Sequence, residues 1–501
     1  MLQQDYPMDG RAQSNTLAAR ASGAIKLAGY VLGAIFVLRF LTLASYPLLD
    51  RSEARYAFIG ELMVQSGNWV TLFVQPDVPF WAKPPFSTWT TAACYLVFGF
   101  NAFAARLPSF LIFVGIGWFA YLLGRQERDQ EFGLVAAGVF ASSALAFYLG
   151  GTVMTDPALM LGVTLSMVAF WKCMSAPGRR LWGHLFFVGL AIALLAKGPV
   201  GVVLPGLSIA AWVAWQRKWK ETWERVPWIS GTLLTAALVV PWYWLAEYRT
   251  PGFLRYFIVG EHFERFVVSN WKGDLYGAGR PRPLGTIWLY ALIAALPWSA
   301  IVIAALLRRQ TRQAVFRRDL IDDPWLSYLV LWFLAPLILF TPAKNILITY
   351  VATALPAFAL LTAHALRRMQ STPPAIAVTA AAVPAVLLAG VIAMNVAPQS
   401  QYLESQAAII ETYEKAKPAG DFNLTYIFNK PYSADFYSDG RAKLARDDGE
   451  LDEILRAGNH PYFVVTPEML TRLSPGTQGR FEMVAEMNEV LLLRAKAGGT
   501  P

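Results

Sequence analysis

Residues 50–85 read DRSEARYAFIGELMVQSGNWVTLFVQPDVPFWAKPP and directly follow the first long apolar stretch of the chain. This 50–85 segment combines carboxylates, an Arg-Tyr pair, tryptophans and a Lys-Pro-Pro turn, whereas its surroundings are mostly apolar. Ionisable side chains beside a membrane helix are costly and usually serve a function. The segment is therefore the first place to look for a functional site.

The composition of the chain indicates a membrane protein. Of the 501 residues, 55% are hydrophobic and 15% charged, and the mean hydropathy is +0.40. A soluble protein carries roughly 25% charged residues, so lipid must surround most of this chain. The net charge of +9 does not require a nucleic-acid partner, because the clustered basic residues lie in short loops where they set membrane orientation.

Eleven apolar runs predict a mostly α bundle of about 11–13 transmembrane helices. The run at residues 86–100 is short and rich in threonine, and we expect an interfacial helix there instead of a crossing. The eleven runs lie at about residues 24–45, 107–124, 132–150, 157–174, 181–197, 199–216, 228–246, 284–307, 325–341, 346–364 and 375–397.

Basic loops predict the orientation of the bundle. Arginines and lysines are enriched in cytoplasmic loops, which here are the loops holding Lys172, Arg179 and Arg180, residues 217–225, five arginines between 308 and 318, and Arg367 with Arg368. The N-terminus is then expected in the cytoplasm and the C-terminus outside.

This topology predicts three domains. Residues 1–23 form a cytoplasmic tail, and residues 24–397 form the transmembrane domain with outer loops at 46–106 and 247–283. Residues 398–501 alternate short β-type runs with helical stretches, which favours a small soluble α/β domain on the periplasmic face.

The 50–85 segment offers two kinds of candidate. Asp50 and Glu53 could orient or deprotonate an acceptor, or hold a cation, although their spacing also suits a helix cap. Arg55 and Tyr56 follow on the same short helix, where interfacial snorkelling is the alternative. Two prolines fix Lys83 in an extended turn, where it can meet a phosphate as a point charge.

Further candidates lie in the other outer loops. Asp156 stands at the outer end of two apolar runs, where it could serve the reaction or cap a helix. Glu261 and His262 could bind a divalent metal, although two adjacent residues do not make a site. The remaining outer candidates are suited to a lipid-linked phosphate that enters from the bilayer, and they are Lys197, Arg265, Lys344 and Tyr350.

Several motifs in order resemble one family. They are D-x-S-E-A-R-Y-A, S-G-N-W-V-T, F-W-A-K-P-P and F-G-F-N-A-F-A-A-R-L-P-S, then T-D-P-A-L, A-K-G-P-V-G and G-E-H-F-E-R-F. Together they resemble the bacterial protein O-mannosyltransferase-like family of membrane glycosyltransferases, which includes the lipid A aminoarabinose transferases. The resemblance covers residues 30 to about 365.

The resemblance implies a C-type glycosyltransferase in the inner membrane. It would move a sugar from a polyprenyl-phosphate donor to lipid A, lipopolysaccharide or another envelope glycolipid on the periplasmic face. It assigns the donor phosphate to Arg55, Tyr56 and Lys83. It also makes Glu53 the first-loop glutamate, Asp156 the acidic residue of the second loop and His262 the histidine of the long loop.

Two departures from the family pattern concern the site. Aminoarabinose transferases carry an aspartate immediately before the motif glutamate, where this chain has Ser52, with Asp50 two residues earlier. They also carry a glutamate before the Lys-Pro pair, where this chain has Ala82. The first departure leaves the catalytic carboxylate open between Asp50 and Glu53, and the second weakens a metal site built with His262.

Two other functions remain open at this stage. A lipid-linked sugar flippase or transporter would also have many crossings, but it predicts broken helices in paired halves with charges at mid-membrane. An O-mannosyltransferase acting on protein would share the donor and differ in the acceptor.

Overall fold

The chain is mostly helical in a computed structural model. The model describes residues 9–175, 180–269, 271–277, 281–307, 323–396, 404–417, 422–457, 461–487 and 489–496. These residues form two compact units. Unit 1 comprises the described residues within Met1–Thr42, Phe80–Ser87 and Leu107–Leu388, and unit 2 those within Leu43–Pro79, Thr88–Arg106 and Ala389–Pro501.

The helices are numbered here in chain order. They are α1 (Asp9–Leu41), α2 (Ser52–Ser66), α3 (Phe86–Phe98), α4 (Ala102–Glu127), α5 (Gln130–Ser142), α6 (Ala144–Leu149), α7 (Asp156–Ser175), α8 (Arg180–Lys197), α9 (Val200–Gln216), α10 (Trp219–Arg225), α11 (Trp228–Arg249), α12 (Arg265–Val267), α13 (Thr286–Ala294), α14 (Trp298–Leu307), α15 (Pro324–Phe340), α16 (Leu355–Arg368), α17 (Pro373–Val396), α18 (Ala407–Ala416), α19 (Tyr432–Tyr437), α20 (Asp448–Arg456), α21 (Pro467–Leu470) and α22 (Pro475–Gln478). A π-helix spans Arg255–Glu264, and 3₁₀ helices span Thr42–Ala44 and Ile348–Ala354.

The described helices make this a multi-pass membrane protein. Seven stretches are long and apolar enough to cross a bilayer, and α13 with α14, bent by 109°, add an eighth if they count as one span. The other predicted runs coincide with α9 and α15, which are shorter, and with residues 132–150, which divide into α5 and α6. The seven stretches are Gly23–Ala44, Ala102–Glu127, Asp156–Ser175, Arg180–Lys197, Trp228–Arg249, Ile348–Arg368 and Pro373–Ala393.

Two features of the segment between α1 and α4 bear on the sequence predictions. The run at residues 86–100 does form a helix, α3, which is not among the spanning stretches. Its interfacial location stays a prediction. The interpretation of the 50–85 segment missed a two-stranded antiparallel hairpin of β1 (Phe73–Gln75) and β2 (Val78–Pro79).

In unit 1, helices α7 and α8 pack closely because glycines face each other. A Cβ atom on Gly162 would lie 2.6 Å from the backbone nitrogen of Ala193, and one on Gly189 would lie 2.4 Å from the Ser166 hydroxyl. Small residues let the backbones of membrane helices approach in this way. The tight pair places the first residue of α7, Asp156, beside the last residue of α8.

The core of unit 1 is aromatic, and three of its rings donate hydrogen bonds to backbone carbonyls. The Tyr328 hydroxyl donates to the Met167 carbonyl at 2.7 Å, the Trp212 indole to the Pro324 carbonyl at 2.8 Å, and the Trp332 indole to the Thr353 carbonyl at 3.0 Å. Buried rings with a polar atom need such partners. These bonds fix how α7, α9 and α15 pack.

The C-terminal part of unit 2 contains a five-stranded mixed sheet. Its order is β4-β3-β5-β7-β6, with β3 parallel to β4 and β5, and β7 antiparallel to β5 and β6. Separate apolar clusters cover the two faces, one around Tyr426 and the other around Ile427. The strands are β3 (Leu424–Ile427), β4 (Lys443–Ala445), β5 (Tyr462–Val465), β6 (Phe481–Met487) and β7 (Val490–Ala495).

Candidate active site

In unit 1, two cations share one carboxylate. The Lys83 ammonium lies 2.9 Å from Oε2 of Glu261, and the Arg265 guanidinium lies 3.1 Å from Oε1. Glu261 lies within the π-helix and Arg265 is the first residue of α12, so the second pair has i,i+4 spacing. Burial by itself raises the pKa of Glu261, but the two cations outweigh it and hold that pKa below its ordinary value.

Aromatic side chains surround this ion cluster. The Trp81 backbone N–H donates to the Tyr276 hydroxyl at 3.0 Å, and the Phe80 and Tyr276 rings meet edge to face at 4.7 Å. The Trp81 and Tyr256 rings lie 6.0 Å apart, and Arg265 also pairs with Asp274 at 3.3 Å. The Phe80-Trp81 pair thereby holds the turn that carries Lys83.

A second ion pair in unit 1 joins α7 to α8. The Lys197 ammonium lies 2.6 Å from Oδ1 of Asp156, and it also sits 4.8 Å from the centre of the Tyr350 ring. Tyr350 in turn interacts electrostatically with the Arg265 guanidinium. The structure therefore brings the predicted residues Asp156, Lys197, Tyr350 and Arg265 into one neighbourhood.

Lys344 also lies in unit 1, and its backbone connects two parts of this neighbourhood. Its N–H donates to the Phe266 carbonyl at 3.0 Å, and its carbonyl accepts from the Arg282 N–H at 3.2 Å. The next residue, Asn345, donates to the Arg265 carbonyl at 2.8 Å. Phosphate contact by the half-buried Lys344 side chain stays a prediction.

Glu261 and His262, the predicted metal ligands, contact other groups of the protein. Nδ1 of His262 lies 2.7 Å from the Phe257 carbonyl oxygen, and Nε2 lies 2.9 Å from the Lys197 carbonyl oxygen. Burial is the main reason that the pKa of His262 is lowered, so the neutral ring would have to break a contact to free a lone pair for a metal. Glu261 is already held by two cations. No group of three or more His, Cys, Asp or Glu side chains suited to a metal occurs within the described ranges, so the residues present do not fit a divalent ion.

In unit 2, Glu53 forms a buried bidentate ion pair. The Arg106 guanidinium contacts Oε1 of Glu53 through Nε at 2.8 Å and Oε2 through Nη2 at 2.9 Å. The same guanidinium donates to the carbonyls of Leu43, Tyr46 and Pro47 at 2.8–2.9 Å. Arg106 is fully buried. Glu53 therefore anchors the turn that leads into α2, and its catalytic role stays a prediction.

Asp50 does not cap α2, so that alternative is wrong. The N-cap of α2 is Arg51, without a side-chain cap bond. Oδ1 of Asp50 instead accepts the Ser433 backbone N–H at 2.9 Å, and Oδ2 accepts the Ser433 hydroxyl. The carboxylate points away from the helix because α19 offers it two donors.

Arg55 and Tyr56 lie half-buried near the start of α2. The Arg55 guanidinium lies 5.3 Å from the centre of the Tyr56 ring and 5.6 Å from that of Tyr432. An aromatic face stabilises a cation at such a distance. Arg55 therefore has a defined aromatic setting, and the snorkelling alternative stays a prediction.

Three functional neighbours were missed from the sequence. Arg106 stood in the quoted motif F-G-F-N-A-F-A-A-R-L-P-S, and a lone arginine at the start of an apolar run could have drawn attention to it. Tyr432 and Ser433 belong to the C-terminal part, where the sequence offered no motif.

Glu61 on α2 leads to a pH-dependent prediction. It is fully buried, and burial, followed by the charges of Asp439 and Asp435, raises its pKa from the ordinary 4.5 to about 8. Tyr95 also interacts electrostatically with Glu61, and the Gln65 side chain donates to it at 2.8 Å. Because the pKa of Glu61 is higher in the folded than in the unfolded state, the stability that its protonated form contributes is fully present below pH 4.5. This contribution is lost as the pH rises to about 8.

We therefore expect Glu61→Gln to stabilise the protein at pH 7 by on the order of 3 kcal/mol and to leave it little changed near pH 4.5. Thermal unfolding across this pH range in detergent measures the effect. Glu453→Gln, at an exposed position of α20, is the control. Equal shifts for both variants, or a Glu61→Gln gain that is independent of pH, would contradict the assignment.

The chain is similar in sequence to a family of glycosyltransferases and to several bacterial relatives. Residues 25–257 match the family described as dolichyl-phosphate-mannose-protein mannosyltransferase. A relative from Pseudomonas paraeruginosa, an undecaprenyl phosphate-alpha-4-amino-4-deoxy-L-arabinose arabinosyl transferase, is 32% identical over 65% of this chain and 56% of its own length. A relative of the same name from Enterobacter sp. is 28% identical over 68% of this chain and 60% of its own length. The chain thus spans little more than half the length of these relatives.

Among solved structures, the fold matches that of ArnT from Cupriavidus metallidurans bound to undecaprenyl phosphate. The TM-score is 0.74 at 19% identity, with 94% of this chain and 98% of that chain covered. The apo form of the same protein gives a TM-score of 0.73 and covers 96% of this chain and 100% of that chain. The resemblance seen in the sequence motifs is confirmed, because residues 25–257 match the dolichyl-phosphate-mannose-protein mannosyltransferase family.

Proposed function

We propose that this protein is a membrane glycosyltransferase that moves a sugar from a polyprenyl-phosphate donor to lipid A or a related envelope glycolipid. The main support is that two cations bind one carboxylate: Lys83 lies 2.9 Å from Oε2 of Glu261, and Arg265 lies 3.1 Å from Oε1. Two preset cations around one anion are the arrangement that a donor phosphate requires. The family domain and the relatives, which are named for this donor class, support the proposal.

The donor phosphate would take the place of Glu261 between the two cations. Lys83 has a 17% exposed side chain and Arg265 a 19% exposed one, so both can be reached by a ligand without being fully hydrated. Charges in such a partly dehydrated site act more strongly than in water. From the family resemblance, we assign Arg55 and Tyr56 to the same donor.

The reaction would be a displacement at the anomeric carbon. An acceptor oxygen attacks this carbon, the bond from the carbon to the phosphate oxygen breaks, and its electron pair leaves with polyprenyl phosphate. Lys83 and Arg265 would stabilise the charge that develops on the leaving phosphate. A lipid A phosphate acceptor is already anionic and needs no general base.

The engaged carboxylates favour such an anionic acceptor. Asp156 is paired with Lys197, and Glu53 with Arg106, while Asp50 accepts two bonds from Ser433. A general base needs a proton-accepting oxygen directed at the acceptor. We propose that these carboxylates hold cations and backbone in place.

We also propose an inner-membrane location with a cytoplasmic N-terminus and the predicted 398–501 domain in the periplasm. The predicted orientation also puts residues 125–131 in the cytoplasm. In unit 1, Arg128 of this loop pairs with Asp323 at 2.7 Å, and Asp129 pairs with Arg367 at 2.6 Å. Residues at the predicted outer side pair among themselves: Lys83 and Arg265 with Glu261, and Lys197 with Asp156. The predicted arginine-rich loop at 308–318 lies outside the described residues.

A reconstituted assay tests the function. The full chain is placed in lipid vesicles with lipid A and one of several labelled undecaprenyl-phosphate sugars, and label on lipid A is measured by thin-layer chromatography. We expect transfer that requires both the protein and one particular donor. Donor that crosses the bilayer without transfer would show a flippase, and label on an added peptide, but not on lipid A, would show a protein O-mannosyltransferase. The lipid A profile of a deletion strain identifies the sugar.

A further inference from the structure

The start of the 50–85 segment is held by the C-terminal part of the chain, and both belong to unit 2. The Asp50 backbone N–H donates to the Glu404 carbonyl at 2.7 Å, and the Leu48 N–H donates to the Tyr437 hydroxyl at 2.7 Å. These bonds span more than 350 residues of sequence. The residues before α2 are thus fixed from outside their own loop.

The Asp50 side chain extends this connection. Both of its oxygens accept from one residue, Ser433, through the backbone N–H and the hydroxyl. Ser433 is fully buried, and its hydroxyl oxygen also accepts the Gln406 N–H at 2.9 Å. Burial raises the pKa of Asp50, while the two Ser433 bonds oppose that rise.

The residue before Ser433 reaches the predicted phosphate ligand. The Tyr432 ring centre lies 5.6 Å from the Arg55 guanidinium, and the Tyr432 hydroxyl interacts with the same group. Asp50 and Arg55 therefore contact adjacent residues at the start of α19. A shift of α19 would move the Tyr432 ring that lies beside Arg55.

We propose that Asp50 is a positioning residue that anchors α19, so that Tyr432 fixes Arg55 for the donor phosphate. The C-terminal part of the chain would then contribute directly to donor binding. This proposal rests on the proposed function. The competing role for Asp50 is that of the general base for an acceptor hydroxyl.

A double-mutant cycle separates the two roles, because residues that act through one contact are not additive. Initial rates are measured with the purified full chain for Asp50→Asn, Ser433→Ala and the double variant. We expect each variant to raise the donor KM about 10-fold, with a smaller fall in kcat. A mutation away from the reacting atoms that displaces a binding group by about 1 Å can lower the rate up to about 100-fold. The double variant should match the single ones, and Ser433→Thr should restore most of the donor affinity.

Asp452→Asn is the matched control, since it removes an ion pair with Arg480 elsewhere in the C-terminal part and should leave KM and kcat unchanged. Additive losses would overturn the proposal. So would a collapse of kcat in Asp50→Asn at normal donor KM, with Ser433→Ala like wild type, because that pattern marks a general base.

Hydrogen exchange adds a readout that does not depend on transfer. Asp50→Asn should speed amide exchange in residues 431–438 and leave β3 unchanged, because the Ser433 N–H loses its charged acceptor. Unchanged exchange would overturn the anchor even if transfer is observed. If wild type transfers no sugar from any donor, the proposed function fails, and the anchor's link to donor phosphate fails with it, whatever the exchange data show.

Discussion

Lys83→Ala is expected to lower the kcat of sugar transfer by about 100-fold to 1,000-fold, the usual effect of removing one group that stabilises developing charge. The ammonium lies 2.9 Å from Glu261, where we place the leaving phosphate. Its removal leaves Arg265 as the remaining cation on Glu261. Transfer to lipid A in vesicles, at matched protein levels, measures the loss.

Two comparisons make the Lys83 result interpretable. Lys220→Ala removes an exposed lysine on α10 that pairs only loosely with Glu224, at 3.9 Å, and should transfer like wild type. Thermal unfolding of Lys83→Ala should stay near that of wild type, because Glu261 keeps its partner Arg265. Transfer by a folded Lys83→Ala within about three-fold of wild type would refute the phosphate assignment, since a lost charge contact costs far more.

Arg106→Met is expected to destabilise the protein by about 3–5 kcal/mol, because breaking a buried ion pair leaves an uncompensated charge. Arg106 is fully buried and holds both oxygens of Glu53. It also satisfies the carbonyls of Leu43, Tyr46 and Pro47. Thermal unfolding and the fraction of monodisperse protein in detergent measure the loss.

Arg128→Met is the control for Arg106, because its ion pair with Asp323 is partly exposed and should contribute under about 1 kcal/mol. The double variant Arg106→Met/Glu53→Gln should recover part of the loss, since it removes the stranded charge as well. If the Arg106→Met and Arg128→Met losses are equal, the Glu53–Arg106 pair does not anchor the segment. If the double variant is worse than Arg106→Met, Glu53 has a further structural partner.

The membrane class and the helical fold could be predicted because they depend on local composition. A span of about 20 apolar residues has few alternatives to a helix in lipid, so the run at residues 157–174 predicted α7 closely. The division of residues 132–150 into α5 and α6 was not visible, because apolarity continues through the break at Ser143. The β1–β2 hairpin was missed because three residues of strand pattern carry little signal.

The identity of the charged residues near the site could also be predicted, whereas their partners could not. Lys83 and Glu261 are 178 residues apart, and sequence shows neither that they pair nor that His262 faces two carbonyls. Asp50 looked like a cap because Glu53 follows at cap spacing, yet its carboxylate bonds to Ser433 across 383 residues.

Local sequence was enough to predict that lipid surrounds this protein and that its polar chemistry lies in the loops between apolar spans. Hydrophobicity and motif order are local properties that any short window of the chain displays. Which charges neutralise one another follows from tertiary contacts, since a buried charge pairs with an opposite charge that the fold brings near it. The Lys83–Glu261–Arg265 cluster and the hold of α19 on the 50–85 segment are therefore products of the fold.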